Sequence, residues 1–148
     1  MGLIYADTSA LVKRHIAESG SAWVRGWIAP GQGNSIVVSA IALPEVTSAL
    51  ARLRRQRLRS AQSFTRLQND FLLAFEEEYL IIPVARALLA LASDLVARYP
   101  LRTLDAIHLA SATTAAQRFI IRPTFVAADQ RLLAAAAEGF PTDDPNNH

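Results

Sequence analysis

Short apolar runs alternate along the chain with longer stretches in which apolar residues recur every three or four positions. The runs Leu3 to Ala6, Ile36 to Ser39, Leu80 to Pro83 and Thr124 to Ala127 show too little polar alternation to lie half-exposed. They read as strands of a mainly parallel sheet of four to five strands, covered on both faces. Between them Leu43, Val46, Leu50 and Leu53 keep helical spacing, as do Phe64, Leu67, Phe71 and Phe75, then Leu88, Leu91 and Leu95, then Leu104, Ile107 and Ala110. Each set predicts a helix with one buried stripe. Pro30, Gly31 and Gly33 punctuate the chain before the second strand, Ser60 is placed to cap a helix, and Pro100 ends another. The pattern is that of an α/β fold with a single domain over residues 1–140. The polar, proline-containing stretch 141–148 is expected to form a flexible tail.

Composition narrows the function. With 148 residues, 51% of them hydrophobic, the chain can build one real core and little more. The absence of cysteine excludes disulfides, thiolate zinc sites, iron–sulfur clusters and cysteine nucleophiles, and suits a reducing cytoplasm. The most apolar stretch, Tyr79 to Ala92, is broken by Pro83 and Arg86 and falls short of the ~20 residues a bilayer span needs, so no membrane role is expected. The N-terminal run meets Asp7 early and has no basic lead-in, unlike a signal peptide. Gly31-Gln32-Gly33 lacks the third glycine of a dinucleotide fingerprint, and no glycine-rich loop ends in Lys-Ser or Lys-Thr. Charge is nearly balanced, 15 basic against 13 acidic residues, yet fourteen of the basic residues are arginine and Lys13 is the single lysine.

The acids carry the chemistry. Asp7 follows the first predicted strand and Asp129 the fourth, at the carboxyl ends where open α/β sheets place their ligand crevice. Glu45 stands just after Pro44, and Asp105 just after Leu101-Arg102-Thr103, both suited to a first helical turn. An acid at a helix start also caps free amides, for ~1 kcal/mol, so each one alone reads equally well as a cap. All four, however, are set in apolar sequence. Carboxylates gathered in a partly buried pocket repel one another and resist ionisation unless a cation joins them. Oxygen-only ligands favour Mg²⁺ or Mn²⁺ over zinc.

The segments Asp7-Thr8-Ser9-Ala10-Leu11-Val12, Glu45-Val46 with Ala49-Leu50-Ala51-Arg52, Leu101 to Ala110 with its core Leu104-Asp105-Ala106-Ile107-His108, and Phe125-Val126-Ala127-Ala128-Asp129-Gln130-Arg131-Leu132 resemble the four acidic blocks of PIN-domain ribonucleases, and within them the VapC-type toxins of toxin–antitoxin pairs. The resemblance implies a three-layer α/β/α PIN-like domain and a Mg²⁺- or Mn²⁺-dependent endoribonuclease. It also implies a homodimer restrained by a cognate antitoxin. Carried over by position, Asp7, Glu45, Asp105 and Asp129 form the acidic metal and catalytic site, and Ser9 supports the first aspartate. Ala127 departs from the family pattern, which often has a threonine or serine there, so a hydrogen bond behind Asp129 is expected to be missing.

Metal-activated water attacking the phosphodiester in line fits this site, leaving by family analogy a 5′-phosphate and a 3′-hydroxyl. A 2′-hydroxyl mechanism would want a pair of histidines, and only His15, His108 and His148 exist. His108 reads as a helix-packing residue with a hydrogen bond, and His15 as solvated surface. Arg52, Arg55 and Arg59 are predicted to share one helical face that could track a phosphate backbone, although the same charges suit a solvated helix end. Arg102 is a separate candidate for substrate contact. Trp23 and Trp27, four residues apart, suit core or dimer packing better than base stacking. Two alternatives remain open at this point: a catalytically silent PIN-like module that binds RNA or protein, and an RNA-processing nuclease without an antitoxin. A phosphoaspartate enzyme is disfavoured, since the second acid it would need two positions after Asp7 is Ser9.

Overall fold

A computed structural model describes residues 2–148. The chain runs β1 (Leu3–Ala6), α1 (Thr8–His15), α2 (Ser21–Ile28), β2 (Ser35–Ser39), α3 (Ala42–Arg55), α4 (Ala61–Glu77), β3 (Tyr79–Ile82), α5 (Arg86–Arg98), α6 (Thr103–Phe119), β4 (Thr124–Val126), α7 (Gln130–Ala136) and β5 (Thr142–Asp143), ending in a 3₁₀ turn over Pro145–Asn147. The strands form one five-stranded sheet in the order β3-β2-β1-β4-β5, and every pairing is parallel.

The sheet divides the core in two, and the side chains of each strand alternate between the halves. Tyr5, Val37, Ile82 and Phe125 face one layer with Leu88, Leu95, Leu109 and Leu132 from α5, α6 and α7. Ala6, Ile36, Val38 and Tyr79 face the other with Leu11, Val24, Val46, Leu50 and Phe71 from α1 to α4. Both faces are apolar because both are covered, which is why the strands read as unbroken hydrophobic runs. The result is a three-layer α/β/α domain. Ser60 caps α4 as expected, its Oγ accepting from the Ser63 N–H at 3.0 Å.

From β1 the chain winds outward to β2 and β3, then crosses to β4 on the other side of β1. After β1 the chain turns to α1 on one face of the sheet and after β4 to α7 on the other, so a crevice opens between the two connections at the strands' carboxyl ends. The Asp7 N–H donates to the Val126 carbonyl at 3.0 Å and joins the two strand ends.

Residues 141–148 are not set apart from the domain. Thr142 and Asp143 pair with Phe125 and Val126, Asp144 is buried, and Gln130 Nε2 donates to Asp144 Oδ2 at 2.5 Å. Lys13 Nζ, itself only 4% exposed, donates to Glu18 Oε1, Ser19 O and Asn146 Oδ1 at 3.1, 2.8 and 2.9 Å. The His148 ring lies parallel on Trp23 at 4.2 Å. Polar composition misled here because these polar groups find their partners inside the domain. Trp23 and Trp27 meet edge to face at 5.5 Å, both packed against the core beneath α2.

His15 departs from its expected solvated setting. Its ring meets Phe71 edge-on at 5.6 Å, its Nε2 is buried without a partner, and burial followed by the Arg14 charge lowers its pKa from 6.5 to about 4. The unfolded chain takes up this proton first, so the native state keeps its full stability above about pH 6.5 and loses it as pH falls toward 4. At about 1.4 kcal/mol per unit, His15→Leu should remove on the order of 2 kcal/mol of acid sensitivity across that window. Urea midpoints at pH 7 and pH 4.5 check this, and equal pH dependence in the two proteins would contradict it.

Candidate active site

The crevice is a cleft of about 510 Å³ whose lining includes Asp7, Thr8, Ser9, Glu45, Arg52, Arg102, Leu104, Asp105 and Asp129. All four acids singled out from the sequence meet there, each brought by a different element. Asp7 is the N-cap of α1, Glu45 lies in the first turn of α3, Asp105 in the first turn of α6, and Asp129 is the N-cap of α7. Four helix starts thus point at one place, and their dipoles favour negative charge there.

Each carboxylate is anchored through a particular oxygen. Asp7 Oδ2 accepts from the Ser9 amide at 3.0 Å and from Ser9 Oγ at 2.5 Å. Glu45 Oε1 accepts from Thr8 Oγ1 at 2.9 Å and lies 2.6 Å from His108 Nε2. Asp105 Oδ2 accepts from the Arg102 amide at 3.3 Å, and Asp129 Oδ1 from the amides of Arg131 and Leu132 at 2.9 and 3.0 Å. The capping and ligand readings are therefore compatible: Glu45, Asp105 and Asp129 are each held through one oxygen and Asp7 through Oδ2, with its Oδ1 facing His108, while all four side chains line the cleft. Burial, then the charges of Asp129 and Asp7, raises the pKa of Asp105 above its ordinary value, even though the Arg102 amide opposes the shift. The acids stand close enough to repel.

Ser9 does more than support Asp7, since its Oγ also accepts from the Ala128 amide at 2.9 Å. One hydroxyl thereby ties the start of α1 to the loop that carries Asp129. This answers the departure at Ala127, whose methyl is fully buried in the core layer with Tyr5 and Phe125. The loop is held through the Ala128 amide instead, and Asp129 is oriented by its own cap.

His108, expected to serve helix packing, is buried beside the acids. Its Nε2 lies 2.6 Å from Glu45 Oε1, 3.3 Å from Asp7 Oδ1 and 3.3 Å from Thr8 Oγ1, and its Nδ1 lies 2.8 Å from the Tyr5 hydroxyl. Burial alone would lower the imidazole pKa, but Asp7, Glu45 and Asp105 raise it above the usual value. Thr8 and Tyr5 were not singled out as functional residues from the sequence. Tyr5 precedes Asp7 by two positions, and the period of a strand places the two on the same side. His108 follows Asp105 by three, one turn along the same helix. Those two spacings were the available signal.

The arginines divide. Arg52 and Arg102 line the cleft. Arg52 and Arg55 stand three apart in the last turn of α3 and so share a face, as predicted, but Arg59 does not continue it, because α3 ends at Arg55 and Arg57 adopts a left-handed φ of 57°. Arg59 lies in the exposed connection to α4.

An oxygen-only donor set suits a hard divalent cation such as Mg²⁺ or Mn²⁺. Among the described residues no three acids or histidines close into a compact ligand cage. The carboxylates line an open cleft, a form that leaves room for water and a phosphate oxygen, as Mg²⁺ sites usually do.

The chain belongs to the PIN domain family, whose profile matches residues 4–138. It is 32% identical over 146 residues to Ribonuclease VapC47 of Mycobacterium tuberculosis (strain CDC 1551 / Oshkosh), a match that covers 97% of each chain. Solved structures share the fold. A toxin–antitoxin complex from Klebsiella pneumoniae superposes with a TM-score of 0.62 at 19% identity, covering 96% of this chain and 97% of that one. VapC20 of Mycobacterium tuberculosis, described as a sarcin-ricin loop cleaving toxin, does so with a TM-score of 0.63 at 17% identity, covering 93% and 95%. No helix among the described residues is long and apolar enough to cross a membrane.

Proposed function

We propose that this protein is a Mg²⁺- or Mn²⁺-dependent endoribonuclease, that it hydrolyses RNA in the cleft between β1 and β4, and that it acts as the toxin of a toxin–antitoxin pair. The observation that carries the reading is the convergence of Asp7, Glu45, Asp105 and Asp129, from four helix starts, on one cleft. The VapC relative supports ribonuclease activity, and a neighbour solved as a toxin–antitoxin complex supports an antitoxin partner. A cytoplasmic homodimer, neutralised until the antitoxin is removed, completes the proposal.

Asp7, Glu45, Asp105 and Asp129 would hold the ion, each already oriented by the protein through at least one oxygen. When bound, such an ion makes water a competent nucleophile at neutral pH and draws electron density from the phosphoryl oxygens. Arg52 and Arg102, which line the same cleft as the acids, would receive the flanking phosphates through their planar guanidinium groups. Water attacks phosphorus in line, the bond to the 3′ oxygen breaks, and that oxygen leaves protonated as the 3′-hydroxyl. The other product carries the 5′-phosphate.

Cleavage of structured RNA by antitoxin-free protein should require Mg²⁺ or Mn²⁺ and stop with EDTA; folded protein that cuts nothing with either ion would overturn the proposal. Arg52→Ala and Arg102→Ala should each weaken RNA binding and lower the slope of log affinity against log salt by about one. Arg59→Ala, outside the cleft lining, should change the slope much less. Equal slopes for all three variants would remove the arginines from the RNA site.

A further inference from the structure

We propose that Tyr5 and His108 form a buried relay that positions the acids: the Tyr5 hydroxyl sets the imidazole, and the imidazole holds Glu45 through Oε1 while its Nε2 stands 3.3 Å from Asp7 Oδ1. The inference rests on the metal-site reading above and assigns a role to two residues outside the carboxylate set. Tyr5 is fully buried and does not line the cleft. Its ring stacks on Phe125 at 5.1 Å with 16° between planes and meets the His108 ring edge-on at 6.1 Å, so the hydroxyl is fixed in place. His108 is 1% exposed, and both of its ring nitrogens are engaged.

A histidine buried only for packing needs one partner per nitrogen. This one reaches from α6 to an acid at the end of β1 and an acid on α3, the two elements that flank it in the cleft wall. Glu45 gains most. Its side chain has three rotatable bonds, and Oε1 is caught between Thr8 Oγ1 and His108 Nε2. Fixing that oxygen removes most of the freedom that a flexible glutamate would otherwise lose on binding an ion. Without the Tyr5 hydroxyl, Nδ1 is left in the core with nothing to bond, and the ring is free to turn away from Glu45. Partners one step removed from a metal typically contribute 10- to 100-fold to its affinity by orienting the ligands.

The test measures Mn²⁺ binding calorimetrically, without RNA, for wild type, Tyr5→Phe, His108→Phe and the double variant, with urea midpoints recorded alongside. Tyr5→Phe should weaken Mn²⁺ binding about tenfold, and His108→Phe about a hundredfold. The double variant should match His108→Phe alone, because Tyr5 acts only through the imidazole. Cleavage by Tyr5→Phe should recover toward wild type at high Mn²⁺ with KM for RNA unchanged. Wild-type Mn²⁺ affinity in Tyr5→Phe, or losses that simply add in the double variant, would overturn the relay. Should His108→Phe not fold, His108→Gln takes its place: its amide keeps a donor near Glu45, so an intermediate loss supports the relay and wild-type affinity overturns it. A wild-type protein that binds no Mn²⁺ would instead overturn the metal site itself.

Discussion

Asp105→Asn should abolish RNA cleavage while the metal-free protein melts at the same temperature as wild type or higher. Loss of a direct carboxylate should cost at least about a hundredfold, the upper end for partners one step further from a metal. The stability half of the prediction comes from the surroundings. Burial and the charges of Asp129 and Asp7 push the Asp105 pKa up, so the ionised side chain is held against repulsion in the folded protein. Asparagine removes the charge and keeps a carbonyl oxygen for the Arg102 amide, so the first turn of α6 retains its bond. Scanning calorimetry with EDTA and a cleavage assay on the same preparation check both halves. A marked fall in melting temperature would show that Asp105 serves mainly as a helix cap.

The largest stability effect away from the cleft is expected at Gly20. This residue caps α2 with a φ of 79°, a conformation that L side chains rarely adopt. A β-carbon there would stand 2.1 Å from the Pro145 carbonyl oxygen and 2.6 Å from its carbon. Neither atom can yield without lifting the carboxyl-terminal turn off α1 and α2. Gly20→Ala should therefore cost about 3 kcal/mol, ~1 from the backbone conformation and the rest from the displaced bonds to Lys13 and Gln130. For a domain of this size that is a fall of roughly 10 °C in Tm. Trp23 fluorescence reads the same event, since the stacked His148 ring leaves with the turn. An unchanged Trp23 spectrum would show that the segment is held by other contacts.

The sheet, its parallel direction and most helix positions were legible because burial on both faces leaves unbroken apolar strands, and helices with one wet face leave a periodic stripe. The acids were legible for a related reason: Asp7 and Asp129 sit where strands end, and a doubly wound sheet gathers such ends at one crevice. What escaped depended on distant pairing. β5 has two residues and no apolar signature, and only its bonds to β4 and the burial of Asp144 make it part of the domain. Arg59 was placed on a helix that stops at Arg55, where the periodicity fades into a run of exposed charges. His108 was visible as a residue one turn from Asp105, yet its contacts with Tyr5 and Glu45 span 103 and 63 positions. Local spacing carries no record of such pairs.

Lys13 has a practical consequence. The single lysine of the chain lies almost wholly inside it, bonded to Glu18, Ser19 and Asn146. Acylating reagents therefore meet no exposed side-chain amine on the folded molecule, and the arginines that face solvent keep their charge through the treatment. Acylation at position 13 requires its bonds to Glu18, Ser19 and Asn146 to open. Its rate in native buffer is a clock for that opening, and one that runs while the cleft is filled or empty.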